Sequence, residues 1–229
     1  MGNRQSRSGD GGKLVAVLTG DIVGSSQLPP DGRAALVDRL KGIAAEIRHC
    51  WPEAMAADID VFSGDSWQIL LSAPPLALRL AVFIRAALIG FDDGMDTRLA
   101  IGIGTMSDAP FDRVSQADGE AFHLSGRALE AMGQAKVKEA PWMRVRTSLA
   151  SREGGWDAAA QLLDAVMRSV WTAPRAMAVA GAVRGWSQET ISAKWPSGIT
   201  QAGVSKHLRA AAWGAVEGAI TLFESDWAD

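Results

Sequence analysis

The chain has 229 residues, is 48% hydrophobic and 21% charged, and carries a formal net charge of −3. That length gives one or two domains, and that balance excludes a chain disordered throughout and a wholly basic nucleic-acid coat protein. A single cysteine, Cys50, excludes an internal disulfide framework and a cysteine-rich zinc site, and three scattered histidines argue against a His-rich metal centre.

Residues 1–12 read as a polar, flexible leader. Gly2 and Ser6 fit the short myristoylation pattern, and the segment has no apolar core of a secretion signal. The run Leu14-Val15-Ala16-Val17-Leu18 ends at Thr19-Gly20-Asp21 and predicts a buried strand. Pro29 and Pro30 then break the chain, and Asp31 is placed to cap a helix. Leu36, Val37, Leu40, Ile43 and Ile47 follow at helical spacing. Residues 55–62 and 67–71, joined by Ser63-Gly64-Asp65, predict a hairpin. Pro74-Pro75 opens a second helix with Leu76, Leu80, Phe83 and Leu88 on its apolar side, and residues 98–106 predict a fourth strand. Strand, helix, two strands, helix, strand is the split βαβ or ferredoxin-like plan.

That plan brings two carboxylates together. A right-handed crossover sets the first two strands parallel with a gap between them. The return strand of the hairpin fills the gap, antiparallel to the first. Asp21 and Asp65 then sit side by side at one sheet edge, where they repel unless a cation joins them. Mg²⁺ uses one or two carboxylates and takes phosphate oxygens for the rest. Val23, Gly24, Ser25 and Ser26 follow at once, with small side chains and backbone N–H groups suited to phosphate. The same aspartates also suit a plain role in shaping turns.

Charge separates the chain into regions. Residues 1–134 hold 12 Lys/Arg against 17 Asp/Glu, and residues 135–210 hold 11 against 5. Residues 211–229 hold four acids and no Lys or Arg. Seven of the nine tryptophans begin at Trp142. The shift at residue 134 predicts an acidic first domain followed by a Trp-rich one whose basic part is residues 135–210, with domain bounds placed at 13–150 and 151–229. Helices are predicted over 158–170, with Leu162, Leu163, Val166 and Val170 on one side, and over 176–184. A third opens at Ser187, Trp195-Pro196-Ser197-Gly198 breaks it, and Thr200 caps a fourth. This is the helix-turn-helix plan. Thr200, Gln201, Ser205, Lys206 and Arg209 are the DNA-contacting candidates, Arg184 and Lys194 can add phosphate contacts, and Val204 and Leu208 face the core. Trp195, Trp213 and Leu222 read as packing groups. The other use of such a unit is a helical hairpin for dimer contact, its charges simply solvated.

Several motifs resemble known families. LTGDIVGSS and SGDSW resemble the two metal-binding motifs of class III nucleotidyl cyclases. GEAFHLSGRALEA resembles the cyclase helix in which an Asn and an Arg, four apart, stabilise the transition state. Over residues 13–133 the resemblance implies Mg²⁺ or Mn²⁺ at Asp21, Ile22 and Asp65, and a nucleoside triphosphate at Val23, Gly24, Ser25 and Ser26. It also implies a catalytic role for Arg127, with His123 standing where the Asn would be, and a homodimer. Val61 stands in place of the family's Lys, and Gln116 in place of its base-selecting Asp. End to end, the chain resembles the SatD family through Gly20-Asp21-Ile22, Gly64-Asp65-Ser66-Trp67, Ile101-Gly102-Ile103-Gly104 and Ala117-Asp118-Gly119-Glu120-Ala121-Phe122, with Asp118 read as a helix N-cap. ITQAGVSKHLRAA resembles the recognition helices of bacterial transcription regulators.

The expected fold class is α/β: an α+β ferredoxin-like, class III cyclase or palm-like domain, followed by an all-α helix-turn-helix domain. The expected function is a cytoplasmic, bacterial-type DNA-binding regulator, with no membrane span, whose first domain binds a nucleotide with Mg²⁺. The alternatives are an active nucleotidyl cyclase or transferase and a catalytically dead dimerisation scaffold.

Overall fold

A computed structural model of the chain describes residues 12–27, 29–62, 64–91, 95–107, 110–135 and 140–228. The reading of the leader over residues 1–11 and the part of Ser63 in the hairpin turn lie outside the described residues. The strand β1 (Leu14–Ile22) is the centre of a five-stranded sheet. Its partners are β2 (Asp60–Phe62), β3 (Ser66–Leu71), β4 (Thr97–Thr105) and β5 (Met143–Thr147), in the order β2-β3-β1-β4-β5. β3 and β4 flank β1 antiparallel, and β5 runs parallel to β4.

Side chains alternate across a strand. Ala16, Leu18 and Ile22 therefore join Ile69, Leu71, Ile101 and Ile103 in the larger core, with α1 (Pro30–Cys50) and α2 (Ala77–Ile89). Val15, Val17 and Leu70 turn to the opposite face, which α3 (Glu120–Gln134) covers through Ala121 and Phe122. The motif glycines set how close these layers come. A Cβ on Gly102 would lie 2.2 Å from the Ala121 carbonyl oxygen, and one on Gly104 2.8 Å from the Glu120 carboxylate. In the sequence Ile-Gly-Ile-Gly the isoleucines fill the core and the glycines admit α3. Gly20 makes the same allowance for the Trp67 indole, which a Cβ would meet at 2.4 Å.

The second half is helical: α4 (Ala150–Val170), α5 (Ala173–Val183), α6 (Gln188–Ala193), α7 (Gln201–Ala210) and α8 (Trp213–Asp226). α4 packs on β5, while α5 and α8 pack on α2. Twelve of the 13 residues of α2 are buried, because the sheet covers one side and the helices the other. One hydrophobic core thus runs from Leu18 through Leu88 to Val179, Val204 and Phe223. An ion triad pins the same junction. The fully buried Arg85 donates to Asp96 through Nε at 2.9 Å and to Asp164 of α4 through Nη1 at 2.7 Å. Burial alone would lower the Arg85 pKa, but the Asp96 and Asp164 charges outweigh it and hold the guanidinium above its ordinary range.

Several local expectations need correction. Met55 makes only an isolated bridge to Leu71, so β2 is three residues long rather than the run from Met55. Pro29, not Asp31, is the N-cap of α1, and Asp31 lies in the first turn. Pro74–Leu76 forms a 3-10 turn before α2, and α4 begins at Ala150 rather than Ala158. Leu162 and Leu222 are 70% and 64% exposed, so neither packs inward as expected. β5 was not signalled by the pattern of its sequence. Among the described residues no helix is long and apolar enough to cross a membrane.

Candidate functional site

The β1–β3 register sets Asp21 opposite Ser66, next to Asp65, and the Ile22 N–H donates to the Asp65 carbonyl at 3.2 Å. The two aspartates therefore sit at adjacent strand ends, as the topology argument requires. Gly64 takes the positive φ of +84° that the tight turn before Asp65 needs. The cation between the strands is one the sequence reading did not single out. Arg98 lies directly across from Asp21 on β4. Its Nε donates to Oδ1 at 2.8 Å and its Nη2 to Oδ2 at 2.5 Å, a fork-on-fork pair. These hydrogen bonds raise the Arg98 pKa against a lowering by burial, and the charges of Asp21 and Asp65 add to the rise.

The segment after β1 is partly committed too. Ser25 Oγ donates to Asp65 Oδ2, and the Val23 N–H donates to the Asp96 carbonyl at 2.9 Å. Of the four phosphate candidates, Gly24 and Ser26 are exposed, whereas Val23 and Ser25 already have partners. Among the described residues no three His, Cys, Asp or Glu side chains cluster as metal ligands. Asp21, the Ile22 carbonyl and Asp65 satisfy what Mg²⁺ asks of a protein only if Arg98 releases an Asp21 oxygen, since the ion takes its other ligands from phosphate and water.

The floor beneath this edge is polar and fully paired. Gln68 Nε2 donates to Thr19 Oγ1 at 3.0 Å, Thr19 and Ser125 share a hydrogen bond of 2.9 Å, and the Thr97 hydroxyl donates to the Asp21 carbonyl at 2.7 Å. On the other face of the sheet, Trp67 Nε1 donates to Thr97 at 3.1 Å. The first set of buried hydrogen bonds ties β3 to β1 and α3, and the second ties β3 to β4 and β1.

α3 turns Phe122, Ser125, Ala128 and Met132 to the sheet, which leaves His123 and Arg127 exposed one turn apart on its outer face. His123 Nε2 lies 3.0 Å from Asp118 Oδ1. The Asp118 carboxylate accepts from the Gly119 N–H at 2.7 Å. Gly119, with a φ of 142°, is the N-cap, so Asp118 is not the capping residue expected. Arg127 has no partner among the described residues, and within one chain no described contact joins it or His123 to Asp21 or Asp65. A further carboxylate escaped the sequence reading. Asp60 on β2 is buried and accepts from Arg113 and from both the hydroxyl and the N–H of Ser115. Burial raises its pKa, but the Ser115 and Arg113 hydrogen bonds together outweigh that and keep it below the ordinary range.

The second surface is α6, its turn and α7. Ser187 Oγ accepts from the Thr190 N–H and Thr200 Oγ1 from the Gly203 N–H, each at 3.1 Å, so both expected caps form. Gly198 turns the chain with a φ of +74°, and Trp195 lies parallel to the His207 ring at 5.7 Å. Val204 and Leu208 are buried. Gln201, Lys206 and Arg209 are exposed on the other side, with Ser205 half-buried and Thr200 exposed at the helix start. Neither Lys206 nor Arg209 has an ion pair among the described residues. Arg184 differs from its expected place at the surface: it donates to Glu46 and lies over the Phe83 and Trp186 rings at 4.5 and 4.8 Å.

Comparison of the sequence with protein-family models returns no match, and comparison with curated proteins returns none either.

Proposed function

We propose that the chain is a DNA-binding regulator that contacts DNA with α7 and binds a nucleotide with Mg²⁺ or Mn²⁺ at the β1–β3 edge of a ferredoxin-like, class III cyclase-like domain. The observation that carries the DNA reading is the division of α7. Its apolar residues are buried in the common core, and its uncapped face offers Gln201, Lys206 and Arg209 without internal partners. Cations that have no carboxylate to answer are free to displace counterions from phosphate. Gln201 at the first turn suits bidentate pairing with adenine. Fluorescence anisotropy with a labelled mixed-sequence duplex at about 50 mM salt tests it. Binding should be clear for the wild type and reduced at least tenfold for the Lys206→Ala, Arg209→Ala double variant. Equal affinity of the two, with circular dichroism unchanged, would return α7 to the role of a dimer-forming hairpin.

Support for the nucleotide reading is the Asp21–Asp65 juxtaposition with Arg98 beside it. When bound, a divalent ion would hold and neutralise phosphate oxygens. The chain's own part is to present the Asp21 and Asp65 carboxylates and the Ile22 carbonyl, to offer the exposed Gly24 and Ser26, and to move the Arg98 guanidinium from Asp21 toward the phosphate. An Arg98 already seated on Asp21, with Val61 and Gln116 at the family's purine-reading positions, favours a binder over an active cyclase. The exposed outer face of α3, where Arg127 has no partner among the described residues, suits a second copy of the chain, placed head to tail so that Arg127 and His123 approach its Asp21 edge. ATP with Mg²⁺ at about 100 times its dissociation constant should add about 2.7 kcal/mol of stability. Asp21→Asn should abolish the metal-dependent part of that shift, and light scattering should report twice the 24.2 kDa chain mass.

A further inference from the structure

Between α1, α2, α5, α6 and the turn after α6 lies a cavity of about 280 Å³. Three of its lining residues are cations, Arg39, Arg184 and Lys194, and three are aromatic, Phe91, Trp186 and Trp195. Small apolar side chains of α2 and α5 make the floor. The cations are incompletely answered. Arg39 donates through Nη2 to the Ala87 carbonyl at 2.7 Å and lies 5.1 Å from the Phe91 ring. Its Nε is buried without a hydrogen-bond partner. Glu46 serves two guanidiniums, bonding Arg184 and lying 3.8 Å from Arg39. Lys194 stands 5.2 Å over the Trp186 ring and has no ion pair among the described residues. Burial and the like charge of Arg39 push Arg184 down to about 10, so that guanidinium stays cationic at neutral pH.

A buried N–H with no acceptor is unfavourable, and a ligand carboxylate within its reach removes that cost. Aromatic walls take a flat apolar ring. The volume lies below the roughly 300–1,000 Å³ of sites for larger ligands, which selects a one- or two-ring acid over a nucleoside triphosphate. We infer that this cavity binds a small aromatic carboxylate, with the acid on Arg39 and Lys194 and the ring on the aromatic walls. Lys194 and Trp195 belong to the turn between α6 and α7, whereas Arg39 and Phe91 belong to α1 and the end of α2. The ligand therefore ties that turn to the first half of the chain. This inference stands apart from the proposed DNA and nucleotide readings, because it is tested without either.

The experiment is calorimetric titration of the full chain with 2-naphthoate and with its neutral counterpart 2-naphthylmethanol. Naphthoate should bind at least tenfold more tightly. Lys194→Met, at an exposed position, should leave the fold intact and weaken naphthoate by about five- to tenfold while leaving the alcohol unchanged. Hydrogen exchange of residues 186–199 should slow on binding. Absence of a saturable heat up to about 1 mM naphthoate overturns the inference. So does equal affinity for acid and alcohol, which would mean an apolar hollow with idle cations. Binding that Lys194→Met does not weaken, without slowed exchange in residues 186–199, would locate the acid elsewhere and overturn it as well.

Discussion

Among the cations of residues 135–210, those of the β5–α4 pair differ from those of α7. On the first, they turn inward. Arg144 holds Asp157 at 2.7 Å, Arg146 shares that carboxylate at 2.8 Å, and Arg168 faces Asp164 at 3.6 Å while lying 4.3 Å over the Trp142 ring. On α7, Lys206 and Arg209 face outward with no such partner. The excess of 11 cations over 5 acids therefore does not make a basic domain. Arg144 and Arg146 fasten β5 to α4 and Arg184 joins the end of α5 to Glu46 of α1, whereas Lys194 in the turn after α6 and Lys206 and Arg209 on α7 have no ion pair among the described residues. Net charge over a segment bounds what it could bind; which cations stay unpaired decides where.

Substitutions should separate the two groups, and the largest effect belongs to the junction. Arg85→Met leaves the part-buried Asp96 without its cation and the buried Asp164 with only Arg168 at 3.6 Å, and should cost about 3–5 kcal/mol in urea unfolding. A loss under 1 kcal/mol would mean that the triad does not hold α4 to α2. Arg144→Ala removes two of the hydrogen bonds that hold the buried Asp157, leaving it Arg146, and should cost about 1–3 kcal/mol, while DNA affinity per folded molecule stays unchanged. The Lys206→Ala, Arg209→Ala pair should do the reverse, moving stability by no more than about 0.5 kcal/mol.

Acid pH sharpens the same contrast. Burial opposes ionisation of Asp157, but hydrogen bonds from Arg144, Arg146 and the Val145 N–H outweigh it and lower its pKa. Asp60 is lowered in the same way. As the pH falls, the unfolded chain takes up protons first, near an ordinary carboxyl pKa of about 3.9. Stability from both groups is present above that value and lost as pH drops through the lower folded-state values. Urea midpoints should be level from about pH 7 to 5 and fall steeply below about 4, with a shallower fall in Asp157→Asn. An unchanged slope in that variant would remove Asp157 from the account.

Much of the sheet was legible because alternation and turns are local signals. The run Leu14–Leu18, the Gly64-Asp65 turn and the crossover rule together place Asp65 beside Asp21. Arg98 was not legible, because its meaning depends on cross-strand register: only the pairing of β1 with β4 sets it opposite Asp21. β5 escaped because five residues with two arginines look like a charged loop until Asp157 supplies the partner. The Ser187 and Thr200 caps and the inward Val204 and Leu208 could be read from helical spacing. Leu162 and Leu222 could not, since spacing identifies a face but not whether another element arrives to cover it.

The most direct measurement of the central claim is the salt dependence of DNA binding. The logarithm of affinity should fall linearly with the logarithm of salt for the wild type, with a slope of about −0.9 per phosphate neutralised. Removing Lys206 and Arg209 together should make that slope shallower by about two units, and Arg146→Ala, which removes a cation already held by Asp157, should leave it unchanged. A slope unaltered by the α7 substitutions, or altered equally by Arg146→Ala, would contradict the assignment of DNA contact to α7.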